Sequence, residues 1–453
     1  MAETTPADRN TERLSVVEEL LEGGTARQVE QTLTALHPAE IADLLESLPR
    51  PERMLLWAHV PADLDGEVLL EVGEDVRETL LDDMEPGEVL AATEQLDIDD
   101  MADFVQSLPE TVVREVLAGM DKQNRRRLEE VLAWPEDSAG GLMNVDGVMV
   151  RANVTLEVVL RYLRSRGELP PHTDRLVVVD RYGRFRGILG IDTLLTNDPT
   201  ILVSEVMDRE SEPIAPETAA SEVARQFEDR DLISHPVADA DGRVLGRITI
   251  DDVVDVIREN AENSMMRRAG LDAEEDLFAP IRQASTRRAV WLGINLMTAF
   301  LAAWVIGQFE ATLQEVVAMA ILMPIVASMG GIAGTQTLTI VIRGLALGQI
   351  TRRNTRPLMI KELAVAAANG LVWALLLAVV ALIWFGNGPL ALILCIALVL
   401  NLAMAAASGV LIPLLLQRMG IDPALAGGVI LTTITDVVGF GAFLGMGAMI
   451  FLD

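Results

Sequence analysis

Apolar and polar positions follow three successive regimes along the chain. Over residues 12–133 apolar residues recur at helical spacing, and Pro or Gly punctuates the pattern every ten to twenty residues. IADLLESLP (41–49) returns weakly as MADFVQSLP (101–109). This predicts an all-α helical solenoid. Over residues 140–257 the period shortens and a repeat stands out. VVVDRYGRFRGILGIDTLL (177–195) aligns with PVADADGRVLGRITIDDVV (236–254) at an offset of 59 residues. Gly183 meets Gly242, Arg184 meets Arg243, Gly187 meets Gly246, and Ile191-Asp192 meets Ile250-Asp251. Each copy predicts strand, turn, strand and helix behind an amphipathic helix (156–165 and 218–229), hence a tandem α+β module. Beyond residue 288 lie five apolar runs: 289–307, 316–342, 363–386, 389–417 and 423–452. Each approaches or exceeds the ~20 residues that span a hydrocarbon core, so an α-helical transmembrane bundle of five helices is predicted.

The predicted divisions are a disordered lead (1–12), an acidic helical N-domain (13–135), two module copies (136–200 and 201–257), a connecting helix (258–280) and a transmembrane domain (281–453). The lead lacks the apolar core of a signal peptide and is expected in the cytoplasm.

Charge sharpens the division. The net charge is −31, yet residues 280–453 carry six acids and nine Lys/Arg. The remainder therefore carries 61 acids against 27 Lys/Arg. Such a surface repels nucleic acid and attracts cations. Arg282, Arg287 and Arg288 precede the first span. Arg343, Arg352, Arg353, Arg356 and Lys361 lie between the second and third, and Arg418 between the fourth and fifth. The positive-inside rule then puts the N-terminal domains in the cytoplasm and the C-terminus outside the cell (inner) membrane. A single cysteine, Cys395, excludes a disulfide framework. There is no GxxxxGK phosphate loop, and the four histidines are scattered without a nucleophile partner, so no enzyme is predicted.

The candidate chemistry starts at Asp436, the lone charge within 423–452. A carboxylate at the bilayer centre costs roughly 2.5–3.5 kcal/mol and normally faces a bundle interior or a watery path. Thr432, Thr435, Asp436 and Gly439 share one helical face, so a cation site or proton relay is expected there. A polar helix–helix clamp is the alternative. In the second run Pro324 predicts a break in the helix. Gly330, Gly331 and Gly334 would expose backbone, and Thr335 and Gln336 supply oxygens beyond it. One carboxylate among neutral oxygens suits hydrated Mg²⁺. In the soluble half, Asp99 pairs with Asp103, and Asp251 with Asp255 beside Asp252, at i, i+4 spacing. These are candidate weak Mg²⁺ sites or simply a solvated acidic face.

EDSAGGLM (136–143), TIDDVVDV (249–256), MPIVASMGGIAGTQ (323–336) and DPALAGGVILTTITDVVG (422–439), in this order, resemble the MgtE family of magnesium channels and transporters. The resemblance covers the whole chain. It implies an N-domain, tandem CBS domains, a connecting plug helix and five membrane helices, assembled as a homodimer in membrane lipid. It implies that Asp436 matches the pore aspartate and Asp422 the aspartate at the cytoplasmic start of helix five. It further implies intracellular Mg²⁺ sensing by Asp99, Asp103, Asp231, Asp252 and Asp255, which closes the path. CBS pairs in some relatives also bind adenine nucleotides.

Two departures stand out. Ile332 takes the place of an Asn in the helix-two motif, and Asn263 and Ser264 replace the paired acids of the plug helix. Glu259 and Glu262 are then the candidate gating acids. The implied function is Mg²⁺ uptake gated by intracellular Mg²⁺. Its rivals are a proton- or sodium-coupled divalent carrier and a CBS membrane sensor that moves no ion.

Overall fold

The computed structural model describes residues 6–93, 96, 98–106, 108, 110–271 and 275–452. The chain forms two compact units and crosses between them three times. One holds Met1–Glu262 and Glu274–Pro280, the other Asn263–Ala273 and Ile281–Asp453.

Among the described residues the first unit opens with ten helices, from Pro6–Gly23 to Lys122–Val131. The first begins inside the stretch expected to be a disordered lead. Val17 is buried against the following helices and anchors it. Arginines join successive helices by reaching back eight residues to free C-terminal carbonyls. Arg53 Nε donates to the Leu45 carbonyl at 2.8 Å, and Arg77 Nε to that of Leu69 at 2.7 Å. A guanidinium in this place satisfies the open end of a helix and opposes its dipole.

The α+β module follows. β1 (Met149–Arg151) pairs in parallel with β2 (Arg175–Val179), and β2 pairs antiparallel with β3 (Phe185–Gly190). In the second copy β4 (Ser234–Ala238) pairs antiparallel with β5 (Val244–Thr249). The repeated D-x-x-G sets both hairpins by one device. Asp180 Oδ1 accepts from the backbone N–H groups of Tyr182 and Arg184 at 2.8 and 3.0 Å. Asp239 Oδ1 accepts from Asp241 and Arg243 at 3.0 and 2.8 Å. Gly183 and Gly242 then take φ of +79° and +78°, where a side chain would be strained. The tips bond to each other: Phe185 N–H donates to the Gly242 carbonyl and Val244 N–H to that of Gly183. One continuous apolar core links the helical region to the second copy, from Leu44 and Phe104 through Ala139 to Phe227 and Val253.

The last helix of the second copy, Ile250–Arg268, runs on as the connecting helix. It ends twelve residues before the predicted boundary at 280. Gly270, at φ +71°, turns the chain in the left-handed region, a common helix stop.

The second unit contains Ile281–Gly307, Val317–Ala346, Thr355–Phe385, Gly388–Arg418 and Pro423–Phe451, hereafter the first to fifth spans, each long and apolar enough to cross a membrane. A short helix, Glu310–Glu315, was not foreseen. The fourth span is the most buried and packs on the second, third and fifth. Small residues allow the close approach. A methyl added at Gly334 would stand 2.9 Å from Leu431, and one at Gly409 2.8 Å from Thr337. Contrary to expectation, Pro324 breaks nothing. The second span is a continuous 30-residue helix through it. Proline removes one donor, and packing on three neighbours holds the helix across the gap.

Candidate functional site

Asp436 opens onto a groove of about 480 Å³ between the second and fifth spans. The second span contributes Ala327, Ser328, Gly331, Ile332, Thr335 and Gln336, a ridge at i, i+4 spacing. The fifth contributes Thr432 and Asp436, likewise four apart. Thr335 Oγ1 donates to the Gly331 carbonyl at 2.8 Å, and Thr432 Oγ1 to that of Gly428 at 3.0 Å. With their protons turned into the helix, these hydroxyls present lone pairs outward. Asp436 has no ion-pair partner among the described residues. The groove thus offers one carboxylate and several neutral acceptors, the arrangement that receives the water shell of a hydrated hard cation.

The face drawn from helical spacing needs correction. Thr435 and Gly439 are buried and do not line the groove. They lie with Leu431 on the side packed into the bundle, and Thr435 Oγ1 donates to the Thr432 carbonyl at 3.0 Å. Gly330 and Gly334 are buried packing positions on the second span, whereas Gly331, Thr335 and Gln336 line the groove. The reason is geometric. A four-residue face spans about 100°, and two different neighbours share it. Ile332 lines the groove too and is exposed there.

At the start of the fifth span Asp422 is a helix cap. Its Oδ1 accepts from the Ala424 N–H at 2.8 Å, ahead of Pro423 in the first turn. Its Oδ2 lies 3.2 Å from Arg267 Nη1, at the end of the connecting helix. Sequence reasoning passed over Arg267, although it stands one turn after Asn263 and Ser264.

In the first unit the acids are dispersed among local tasks. Asp252 accepts from Thr249 Oγ1 at 3.0 Å, Asp255 pairs with Arg258 at 3.2 Å, and Asp251 lies 3.3 Å from His172 Nε2. Asp231 ends a helix in the left-handed region at φ +50°. The side chains of Asp99 and Asp103 lie outside the described residues. Among the described residues no three acidic, histidine or cysteine side chains gather as a metal site. Crowding shows electrostatically instead. Burial and then the Asp255 charge push the Glu71 carboxyl above its usual range. Burial, Asp137 and then Glu259 do the same to Glu136. Asp65 is pushed up to about 6 by burial and the charges of Glu88 and Asp63. Glu262 is exposed.

Two buried polar contacts carried no local sequence signal. Arg53 Nη1 and Nη2 hold Asp276 Oδ2 and Oδ1 at 2.7 and 2.9 Å, with the arginine fully buried. Burial opposes ionisation of Asp276, but hydrogen bonds from Arg53 and the Phe278 N–H outweigh it and hold the carboxyl below its usual range. In the third span, buried Glu362 accepts from Thr337 Oγ1 at 3.1 Å and pairs with Lys361 at 2.5 Å.

Three family profiles match. Residues 323–446 match the divalent cation transporter profile, MgtE, and residues 36–137 the MgtE intracellular N domain. Residues 139–198 and 203–259 match the CBS domain. The magnesium transporter MgtE of Thermus thermophilus is 30% identical over 97% of this chain and 99% of its own length. The chain belongs to the MgtE family of magnesium transporters. The MgtE of Bacillus subtilis is 27% identical over 94% of this chain and 95% of its own length. Among solved structures, the cytosolic domain of the Mg²⁺ channel MgtE in complex with ATP covers 54% of this chain and 99% of its own, at 31% identity and a TM-score of 0.49. The α+β module is therefore a CBS pair, and the chain is a multi-pass membrane protein with a soluble N-terminal region.

Proposed function

We propose that this chain carries Mg²⁺ across the cell membrane and that the groove at Asp436 is half of the path. The observation that carries this is a single carboxylate, without a cationic partner among the described residues, set among outward-facing neutral oxygens inside an apolar bundle. Mg²⁺ sheds water reluctantly, so a site with one carboxylate and several acceptors suits the hydrated ion better than a bare one. A second copy would bring a second Asp436 and groove to the axis of a homodimer. The relatives named magnesium transporters support the choice of ion.

Closure by intracellular Mg²⁺ extends the reading. The crowded carboxylates of the first unit, Glu71 with Asp255 and Glu136 with Asp137 and Glu259, repel one another. Divalent cations relieve that repulsion and favour the compact form, a population shift toward the closed state. Arg267 pairs with Asp422 at 3.2 Å, so a cation arriving at Asp422 would compete with a guanidinium. Glu259 adds to the charge around Glu136 and is the better placed candidate gating acid. ATP is the ligand of the solved relative, and the CBS pair here is the place to look for adenine nucleotide binding. The arginines between spans support N-terminal domains in the cytoplasm and a C-terminus outside.

Uptake of Mg²⁺ into proteoliposomes tests the path. Asp436→Ala falls to the level of empty vesicles while eluting as the wild type does in detergent. Uptake equal to wild type would remove the path from this groove. A flux that needs an opposing proton or sodium gradient would instead make the protein a coupled carrier.

A further inference from the structure

The two helices that line the groove touch directly at Gly334 and Leu431, and on the bundle side one side chain from the fourth span also enters between them, at Gly330 and Gly439. Asn401 is fully buried. Its Nδ2 donates to the Val326 carbonyl of the second span at 2.9 Å. A methyl added at Gly330, also on the second span, would stand 2.2 Å from that nitrogen, and one at Gly439 on the fifth span 2.7 Å from it. The carboxamide therefore fills the space between two bare backbones. Val326 and Gly330 are the immediate neighbours of groove residues Ala327 and Gly331, and Gly439 lies one turn beyond Asp436. Asn401 Oδ1 accepts no hydrogen bond among the described residues. A buried acceptor left in this way is a cost that an aliphatic side chain of similar volume would not carry. The planar amide gives in return a fixed width and, through the bond to Val326, a fixed orientation.

We propose that Asn401 is a positioning residue, a spacer between Gly330 and Gly439 that sets the separation of the two groove-lining helices and hence which hydrated divalent cation the groove accepts. The proposal rests on reading the groove as the Mg²⁺ path. Shortening the spacer lets the second and fifth spans approach and narrows the groove. Thickening the backbone at Gly330 or Gly439 forces them apart. Either change moves Asp436 relative to Thr335 and Gln336 without altering any of the three.

The test is a size exchange in the full-length protein. Gly330→Ala, Asn401→Ala and the double variant are reconstituted in vesicles. Half-saturation for Mg²⁺ and the ratio of Mn²⁺ to Mg²⁺ uptake are measured, together with the melting midpoint in detergent. Each single variant raises the half-saturation concentration several-fold and shifts the ratio. The double variant returns both to within about twofold of wild type, because the added methyl occupies space the amide has left. Its melting midpoint exceeds the sum of the two single effects. Independent effects overturn the spacer. So does a fall in maximal uptake with half-saturation and ratio unchanged, which is what a merely structural role produces. Asp436→Asn in the same vesicles separates the two readings. Normal uptake in that variant removes the path, whereas coupled melting midpoints would still show the spacer. Lost uptake with uncoupled midpoints overturns the spacer alone.

Discussion

Carboxylates in the two units face different problems. In the membrane unit Asp436 is alone, and its difficulty is a poor medium for charge. In the first unit Glu71, Asp255, Glu136 and Glu259 have like-charged neighbours as well, and burial first and then those neighbours push the Glu71 and Glu136 carboxyls up. A lone charge is best relieved by a passing cation. A crowd is best relieved by cations that stay. On the proposed reading, the same ion would serve the membrane unit as cargo and the first unit as signal.

The largest effect expected in that comparison is at Asp436. Its replacement by Asn keeps shape and removes charge, and Mg²⁺ uptake should drop to background. Retention of even half the wild-type rate would contradict the assignment. Next comes the buried pair Arg53–Asp276, which ties the residues before the first span to the helical region. Removing one partner of a buried pair typically costs about 3–5 kcal/mol. Asp276→Ala should therefore lower the cytosolic melting transition by many degrees, whereas Asp436→Asn leaves it in place. Equal midpoints would show that the pair contributes nothing.

A smaller effect separates the crowd from the lone charge by pH. Asp65, Glu71 and Glu136 hold protons more tightly folded than unfolded. Between the unfolded value and the raised one, the folded state binds more protons, so stability falls as pH rises through that interval. For Asp65 the interval runs from 3.8 to about 6. Asp65→Asn should raise the cytosolic melting midpoint by a few degrees at pH 7 and by nothing near pH 3.5. An equal gain at both values would mean that charge is not the cause. Smallest is the hairpin device. Asp180→Ala loses two backbone hydrogen bonds in an exposed turn and should lower the denaturant midpoint only slightly.

Much of this architecture was legible because it is local. Twenty-odd apolar residues announce a span, and D-x-x-G at an offset of 59 announces two like hairpins. Asp436 was legible because a charge in an apolar run has few explanations. The errors and omissions are tertiary. Helical spacing put Thr435 beside Asp436, but only the neighbours decide that one faces the bundle and the other the groove. Asn401 reads as one polar residue in a long apolar run until Gly330 and Gly439 are found on either side of it. Arg53 and Asp276 are 223 positions apart, and nothing near either names the other. Gly270 marked the helix end, yet the charged residues around it masked the stop.

The most direct test of the two roles is Mg²⁺ uptake into proteoliposomes whose soluble domains face a compartment of controlled Mg²⁺. In the wild type, flux should fall as Mg²⁺ on that side rises into the millimolar range, and Asp436→Asn should show no flux at any concentration. Wild-type flux that stays constant across that range would contradict a cytosolic crowd acting as the sensor, and flux through Asp436→Asn would contradict the groove as the path.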